Sequence, residues 1–230
     1  MKKLLDPIRL IKSVIGRSLR DKVPRKFLSS YQQFLKDGGN LLLSEGLDLG
    51  ERSEVVDIGG YLGDWSSVIH ETYGCNVCIV EPIPEFVSSI RERFDSQKQI
   101  RVFPYVISSE SGTSFLYFSD DGTGLFADGK PIQVETRQVS DFIDVIGNGV
   151  IDCLMMNIEG GEYGLLALLI EHGVIARTRH LLVQFHQVAN VSQAEYEALQ
   201  LKLRNSHRLI FDYPFVWQRW DLSLSVAPIR

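Results

Sequence analysis

Two stretches of this sequence set acidic residues and glycines where strand ends should meet turns. In the first, Val55-Val56-Asp57-Ile58-Gly59-Gly60-Tyr61-Leu62-Gly63, a carboxylate stands near the end of an apolar run and glycines follow before a helix start. In an open α/β sheet, ligands bind outside the carboxyl ends of strands, at the point where the strand order reverses. Glycine lets the backbone approach a ligand with no Cβ in the way. Asp57, Gly59, Gly60, Tyr61 and Gly63 are therefore candidate binding residues. A dinucleotide fingerprint would need glycine at position 61, and Tyr61 occupies it. Glu81 ends the next apolar run, where a carboxylate with two acceptor oxygens suits a ribose diol.

The second stretch, Asp152 to Glu162, and the run Leu182-Val183-Gln184-Phe185-His186 put Glu159 and His186 just beyond two neighbouring strand ends. His186 is the candidate proton acceptor, because an unperturbed imidazole titrates near neutrality. Glu159 is its candidate companion, with a helix cap as the plainer alternative. Glu162 falls in the first turn of the following helix. Trp217 and Trp220 would suit a ring-stacking surface or, equally, buried anchors. Cys75-x-x-Cys78 has metal-ligand spacing but no second pair, so zinc is not expected.

The elements that must position these residues follow from the apolar pattern. Strands are predicted at 54–58, 77–80, 100–107, 151–156, 180–185, 208–213 and 222–227. Helices are predicted at 27–37, up to Tyr73, from Pro84 to about Phe94, up to about His172 and at 193–205. Between residues 112 and 138 two alternating segments flank a loop, Asp120 to Lys130, rich in Gly and Asp, which reads as an inserted β-hairpin. That loop would serve as a substrate lid or a plain hairpin tip. Alternating strands and helices imply an α/β fold with a mainly parallel sheet covered on both faces.

The chain has 230 residues, 44% hydrophobic and 23% charged, which excludes disordered and fibrous classes. Three cysteines argue against a disulfide framework and fit a reducing, cytoplasmic setting. The net charge of −5 hides an asymmetry: nine Lys or Arg in residues 1–26 face only Asp6 and Asp21, giving +7, so the remainder carries −12. An acidic body makes a general nucleic-acid surface unexpected. Leu4, Ile8, Ile11, Ile15 and Leu19 recur at helical spacing among those basic residues. Such a helix would pack on its own domain, contact a homodimer mate, or rest on anionic lipid at the inner membrane face.

The first stretch resembles motif I of class I S-adenosylmethionine (SAM) methyltransferases. The second, Asp152-Cys153-Leu154-Met155-Met156-Asn157-Ile158-Glu159-Gly160-Gly161-Glu162-Tyr163, resembles the FkbM signature, with Leu182 to His186 and Tyr213-Pro214-Phe215-Val216-Trp217 similar to its later motifs. The resemblance covers about residues 50–222. It implies a Rossmann-like class I methyltransferase sheet with an inserted hairpin at residues 46–230, preceded by a basic helical extension at 1–45. It implies SAM as cofactor, held by Asp57, Gly59, Gly60, Tyr61, Gly63, Glu81, Pro82, Ile107 and Asn157. Catalysis would fall to His186 and Glu159, and acceptor binding to Glu162, Gln184 and Trp217. The implied reaction is O-methylation of a sugar, a polysaccharide precursor or a related natural product. Asn157 and Gln184 stand where many members carry Asp and Glu. Amides keep the hydrogen bonding without the charge, so a divalent metal is not expected. Two other readings are a SAM-binding partner protein without catalysis and a nicotinamide-dependent reductase or epimerase.

Overall fold

The computed structural model describes residues 25–119, 122–124, 130–147, 149–187 and 193–223. The basic segment up to residue 24 and most of the 120–130 loop lie outside the described residues, and with them the interfacial helix and the substrate lid.

Helix α1 (Arg25–Lys36) is followed by a 3-10 turn at Gly39–Leu43. Then come β1 (Glu54–Ile58), α2 (Asp64–Tyr73), β2 (Asn76–Val80), α3 (Pro84–Arg93) and β3 (Ile100–Phe103). The insert comprises β4 (Val106–Ser108), β5 (Gly112–Ser119), β6 (Gly122–Gly124) and β7 (Lys130–Gln138). The chain continues with α4 (Val139–Ile146), β8 (Ile151–Met156), α5 (Glu162–Glu171), β9 (Thr178–Val183), α6 (Gln193–Arg204), β10 (His207–Tyr213) and β11 (Trp217–Leu222).

Seven strands form the main sheet in the order β10-β11-β9-β8-β1-β2-β3. Strands β1, β2, β3, β8 and β9 pair in parallel, while β11 runs antiparallel to both its neighbours. Strand order moves outward from β1 to β3, then restarts on the other side of β1 with β8. The switch point therefore lies between β1 and β8. These strands are almost wholly apolar because both faces are covered. Val55, Val77, Ile79, Met155 and Leu182 pack toward Phe34 of α1, Ile69 of α2 and Ile90 of α3. Val56, Cys78, Leu154, Met156 and Val183 face Phe142 of α4, Leu166 of α5 and Leu203 of α6. Phe34 is buried in the same cluster as Val55 and Trp217. The described part of residues 25–45 is thus built into the main core rather than standing apart from it.

The predicted strand at 100–107 is in fact two. Pro104 interrupts it, and β4 leaves the main sheet to pair in parallel with β7 in a second sheet, ordered β4-β7-β5-β6. The predicted β5–β7 hairpin is present, with Phe115 opposite Gln133. The last strand begins five residues before the predicted 222. Tyr213-Pro214-Phe215-Val216 makes a tight turn, closed by the Val216 N–H donating to the Tyr213 carbonyl at 2.8 Å, so β11 starts at once. Pro214 sets the first turn position and Phe215, with φ 61°, takes the left-handed second position where glycine is usual.

Candidate active site at the carboxyl rim

Register decides which residues meet. Ile58 stands level with Val80 and with Met156, and Met156 with Val183. One step further, Gly59, Glu81, Asn157 and Gln184 form a row along the carboxyl rim of four adjacent strands. Side chains alternate along each strand. The row therefore faces the α1–α3 side, as Asp57 does one pair lower.

The cofactor half of this row is acidic and buried. Ser66, in the first turn of α2, donates its hydroxyl to Asp57 Oδ2 at 2.6 Å. Glu81 receives the Tyr61 N–H on Oε2 and the Ile83 N–H on Oε1, both at 2.9 Å, which ties the end of β2 to the β1–α2 turn. Burial raises Asp57 to about 6, partly offset by the Ser66 bond. It raises Glu81 to about 7 against its two backbone bonds. Among the described residues no Lys, Arg or His forms a salt bridge with either group. Two buried carboxylates without a counter-ion favour a cationic ligand carrying N–H and O–H donors. The Asn157 Oδ1, buried and without a partner, is a further acceptor in the same row. These residues fit SAM, whose ammonium, sulfonium and ribose hydroxyls supply those features.

The glycines serve the protein's own packing as well as ligand approach. Gly59 has φ 87°, and a Cβ there would lie 2.1 Å from the Asn157 carbonyl oxygen. A Cβ on Gly60 would meet Ile79 at 2.2 Å, and one on Gly63 would meet the Phe94 ring at 2.6 Å. Tyr61 is half exposed at 52%, has φ 51° and packs edge-on against Phe86 with ring centroids 4.5 Å apart. Pro82 is half-buried between Glu81 and Ile83.

The second half gathers around His186. Glu162, at 0% exposure, receives the Ile158 N–H at 3.0 Å and the Gly160 N–H at 2.9 Å, and its Oε1 lies 2.6 Å from His186 Nδ1. On the other side, Glu159 Oε2 lies 3.3 Å from Nε2, within ion-pair reach but misaligned for a hydrogen bond. The Tyr163 hydroxyl donates to the His186 carbonyl at 2.7 Å. Burial alone would lower the His186 pKa, but the two carboxylates outweigh it and hold the ring well above its ordinary value. Carboxylates facing both ring nitrogens favour the protonated ring, whereas the sequence reading rests on an imidazole free to accept a proton. Gln184 is buried, and neither its Oε1 nor Asn157 Oδ1 has a hydrogen-bond partner among the described residues.

Three of the expected site residues lie in the interior. Glu162 is sealed from solvent, so it positions His186 and the β8–α5 turn rather than touching an acceptor. Trp217, 3% exposed, is a core residue packed in the cluster with Phe34 and Val216. Ile107 is buried on β4 in the cluster that holds Tyr105 and Phe142. Cys75 and Cys78 belong to clusters on opposite faces of the sheet, so their spacing does not make a pair. Ser66 and Tyr163 were missed, because neither stands in a motif with a chemical reading of its own. A cavity of about 500 Å³ lined by Ala167, Ile170, Ile175 and Lys202 lies at the far ends of α5 and α6, away from this rim.

Among the described residues, three that are not glycine adopt positive φ: Tyr61, Glu159 and Phe215. They follow β1, β8 and β10, and because β11 is reversed all three sit at the same carboxyl rim.

Comparison with solved structures finds chains of similar fold. The fibrillarin/Nop5p complex matches with a TM-score of 0.51 and 8% identity, over 86% of this chain and 82% of that chain. A putative RNA methyltransferase from Pyrococcus horikoshii matches at 0.48 and 15% identity, over 94% of both chains. The SAH-bound methyltransferase PaMTH1 of Podospora anserina matches at 0.47 and 9%, over 94% of this chain and 93% of that one. At these identities the likeness concerns the fold. No curated protein matches the chain. The Methyltransferase FkbM domain matches residues 57–207, from the acid of β1 to the start of β10. With two thirds of its length inside that match and both signature stretches on one rim, the chain belongs to the FkbM methyltransferase family.

Proposed function

We propose that this SAM-dependent methyltransferase of the FkbM family methylates a hydroxyl group of a sugar, a polysaccharide precursor or a related natural product. The observation that carries this reading is the Glu162–His186 pair beside two uncharged acceptors, Asn157 Oδ1 and Gln184 Oε1, that have no partner among the described residues. An unactivated hydroxyl needs a positioned proton acceptor, and its own O–H groups need neutral acceptors to orient them. When bound, SAM supplies a sulfonium methyl group that passes to the acceptor oxygen while the carbon–sulfur electron pair stays on sulfur. Asp57 and Glu81 hold the cationic and ribose ends of that cofactor. Asn157 and Gln184 orient the acceptor beside it. His186, its Nδ1 fixed by Glu162, takes the hydroxyl proton at Nε2.

Two measurements test the reading. Calorimetry with Asp57→Asn and Glu81→Gln should show SAM affinity falling by about 2 kcal/mol, roughly thirtyfold, for each lost charge-assisted bond. Methyl transfer from labelled SAM to a panel of neutral glycans and polyketide alcohols should give an alkali-stable methyl ether. Transfer only to amines or carboxylates would overturn the hydroxyl assignment.

A further inference from the structure

His186 raises a problem that the proposed reaction must solve, because a ring held between two carboxylates at rest already carries the proton it would have to accept. The two carboxylates are not alike. Glu162 is fully buried, bound to two backbone N–H groups and aligned on Nδ1 at 2.6 Å. Its three bonds leave it no alternative position. Glu159 is the opposite in every respect. Its side chain is 39% exposed, its contact with Nε2 is long and misaligned, and its backbone has φ 52°. It is followed by Gly160 at φ 99° and by Gly161. A long polar side chain on a left-handed residue beside two glycines is poised to move.

We propose that Glu159 is a removable counter-ion: it holds His186 as an imidazolium in the empty site and leaves Nε2 when the acceptor enters, freeing the ring to act as base. The idea rests on the hydroxyl-methylation reading for its chemistry but not for its first test. Proton balance is straightforward. Methyl transfer from a sulfonium to a neutral hydroxyl leaves one proton over. Once Glu159 has withdrawn, the resting proton departs to solvent at the exposed rim and Nε2 takes the proton from the acceptor oxygen. After release of the product, Glu159 returns and the charged ring is restored. Glu162 is the positioning residue throughout. It holds the Nδ1–H, so that the lone pair of the neutral ring falls on Nε2, as the acid partner does in a catalytic triad.

Among the described residues, the charged groups facing the ring are Glu159 from the β8–α5 turn and Glu162 from the first turn of α5. Around it, Tyr163 of α5 bonds the His186 carbonyl, and Tyr196 of α6 packs on the neighbouring Phe185 with ring centroids 5.2 Å apart. No basic side chain is paired with either carboxylate in that set. Removing Glu159 therefore leaves one strong partner on the ring, and removing Glu162 leaves only the weak one.

The test is an NMR titration of the His186 ring in the ligand-free full chain, assigned with His186→Gln. In the wild type the ring should stay protonated throughout the neutral range. In Glu159→Gln the midpoint should fall by at least about one pH unit, a tenfold weaker hold on the proton. In Glu162→Gln it should fall further, and the low-field Nδ1–H signal should disappear. A wild-type midpoint near the ordinary ~6.5 of histidine, or a midpoint unmoved in Glu159→Gln, overturns the proposal. A second measurement uses whichever acceptor the panel yields. The acid limb of kcat/KM against pH should move to lower pH in Glu159→Gln, whereas a limb left in place means Glu159 does not control the ring. Should the panel yield no acceptor, the hydroxyl reading fails while the titration still decides the counter-ion.

Discussion

In the proposed site, Glu81 is the buried carboxylate through which cofactor binding is expected to depend on pH. In an unfolded chain a Glu titrates near ~4.3, whereas here burial keeps the proton on up to about 7. The folded state therefore binds more protons than the unfolded one across that interval. The group's contribution to stability is fully present below the unfolded value and is lost as pH rises through about 7. Asp57 follows the same course with its upper limit at about 6. A cationic ligand reverses the preference, since it favours the ionised carboxylates. SAM binding between these limits should release protons, and affinity should weaken as pH falls below about 7. Calorimetry in buffers of different ionisation enthalpy measures both effects, and Glu81→Gln should flatten the profile. An affinity constant from pH 5.5 to 8 would mean that the cofactor never meets these groups. The acids themselves were legible in the sequence, because a carboxylate at a strand end before glycines has few uses. Their protonation was not, because it depends on the absence of a cation in space rather than in sequence.

The turn after β1 shows the same limit for an element. Its glycines were read as room for a ligand, yet Gly59 is required by the neighbouring strand end: the missing Cβ is where the Asn157 carbonyl approaches. Gly59→Ala combines a left-handed φ with a backbone clash, and each of these costs on the order of 1–3 kcal/mol. We expect a loss of about 3 kcal/mol in a urea melt of the SAM-free protein. An unchanged midpoint with weakened SAM binding would instead return Gly59 to a purely ligand-facing role. Strands β1, β2 and β8 were legible because both of their faces are buried, so their residues are apolar almost without break. The boundary of β11 was not legible, because Phe215 occupies a turn position that sequence patterns reserve for glycine or asparagine. The split of β3 from β4 was marked by Pro104 and could have been read. Glu162 was assigned to the acceptor because its spacing from Glu159 is visible in sequence. That it turns inward to His186 depends on the fold of the β8–α5 turn.

At the scale of the whole molecule the charge asymmetry is the open property. No helix among the described residues is long and apolar enough to cross a membrane. The first 26 residues nevertheless carry +7, and basic residues near an anionic surface gain ~1 kcal/mol each. We expect the full chain to co-sediment with anionic vesicles at low salt, to be released as salt rises, and to lose that binding when residues 1–20 are removed. Equal sedimentation of both forms would assign the segment to the fold or to a second copy of the chain. The rim where Tyr61, Glu159 and Phe215 all hold left-handed backbone has a consequence of another kind. Glycine would fit each of the three positions at lower conformational cost, on the order of 1 kcal/mol apiece. At two of them the side chain also packs, Tyr61 edge-on against Phe86 and Phe215 stacked on Tyr196, so glycine there would exchange backbone relief for lost ring contact.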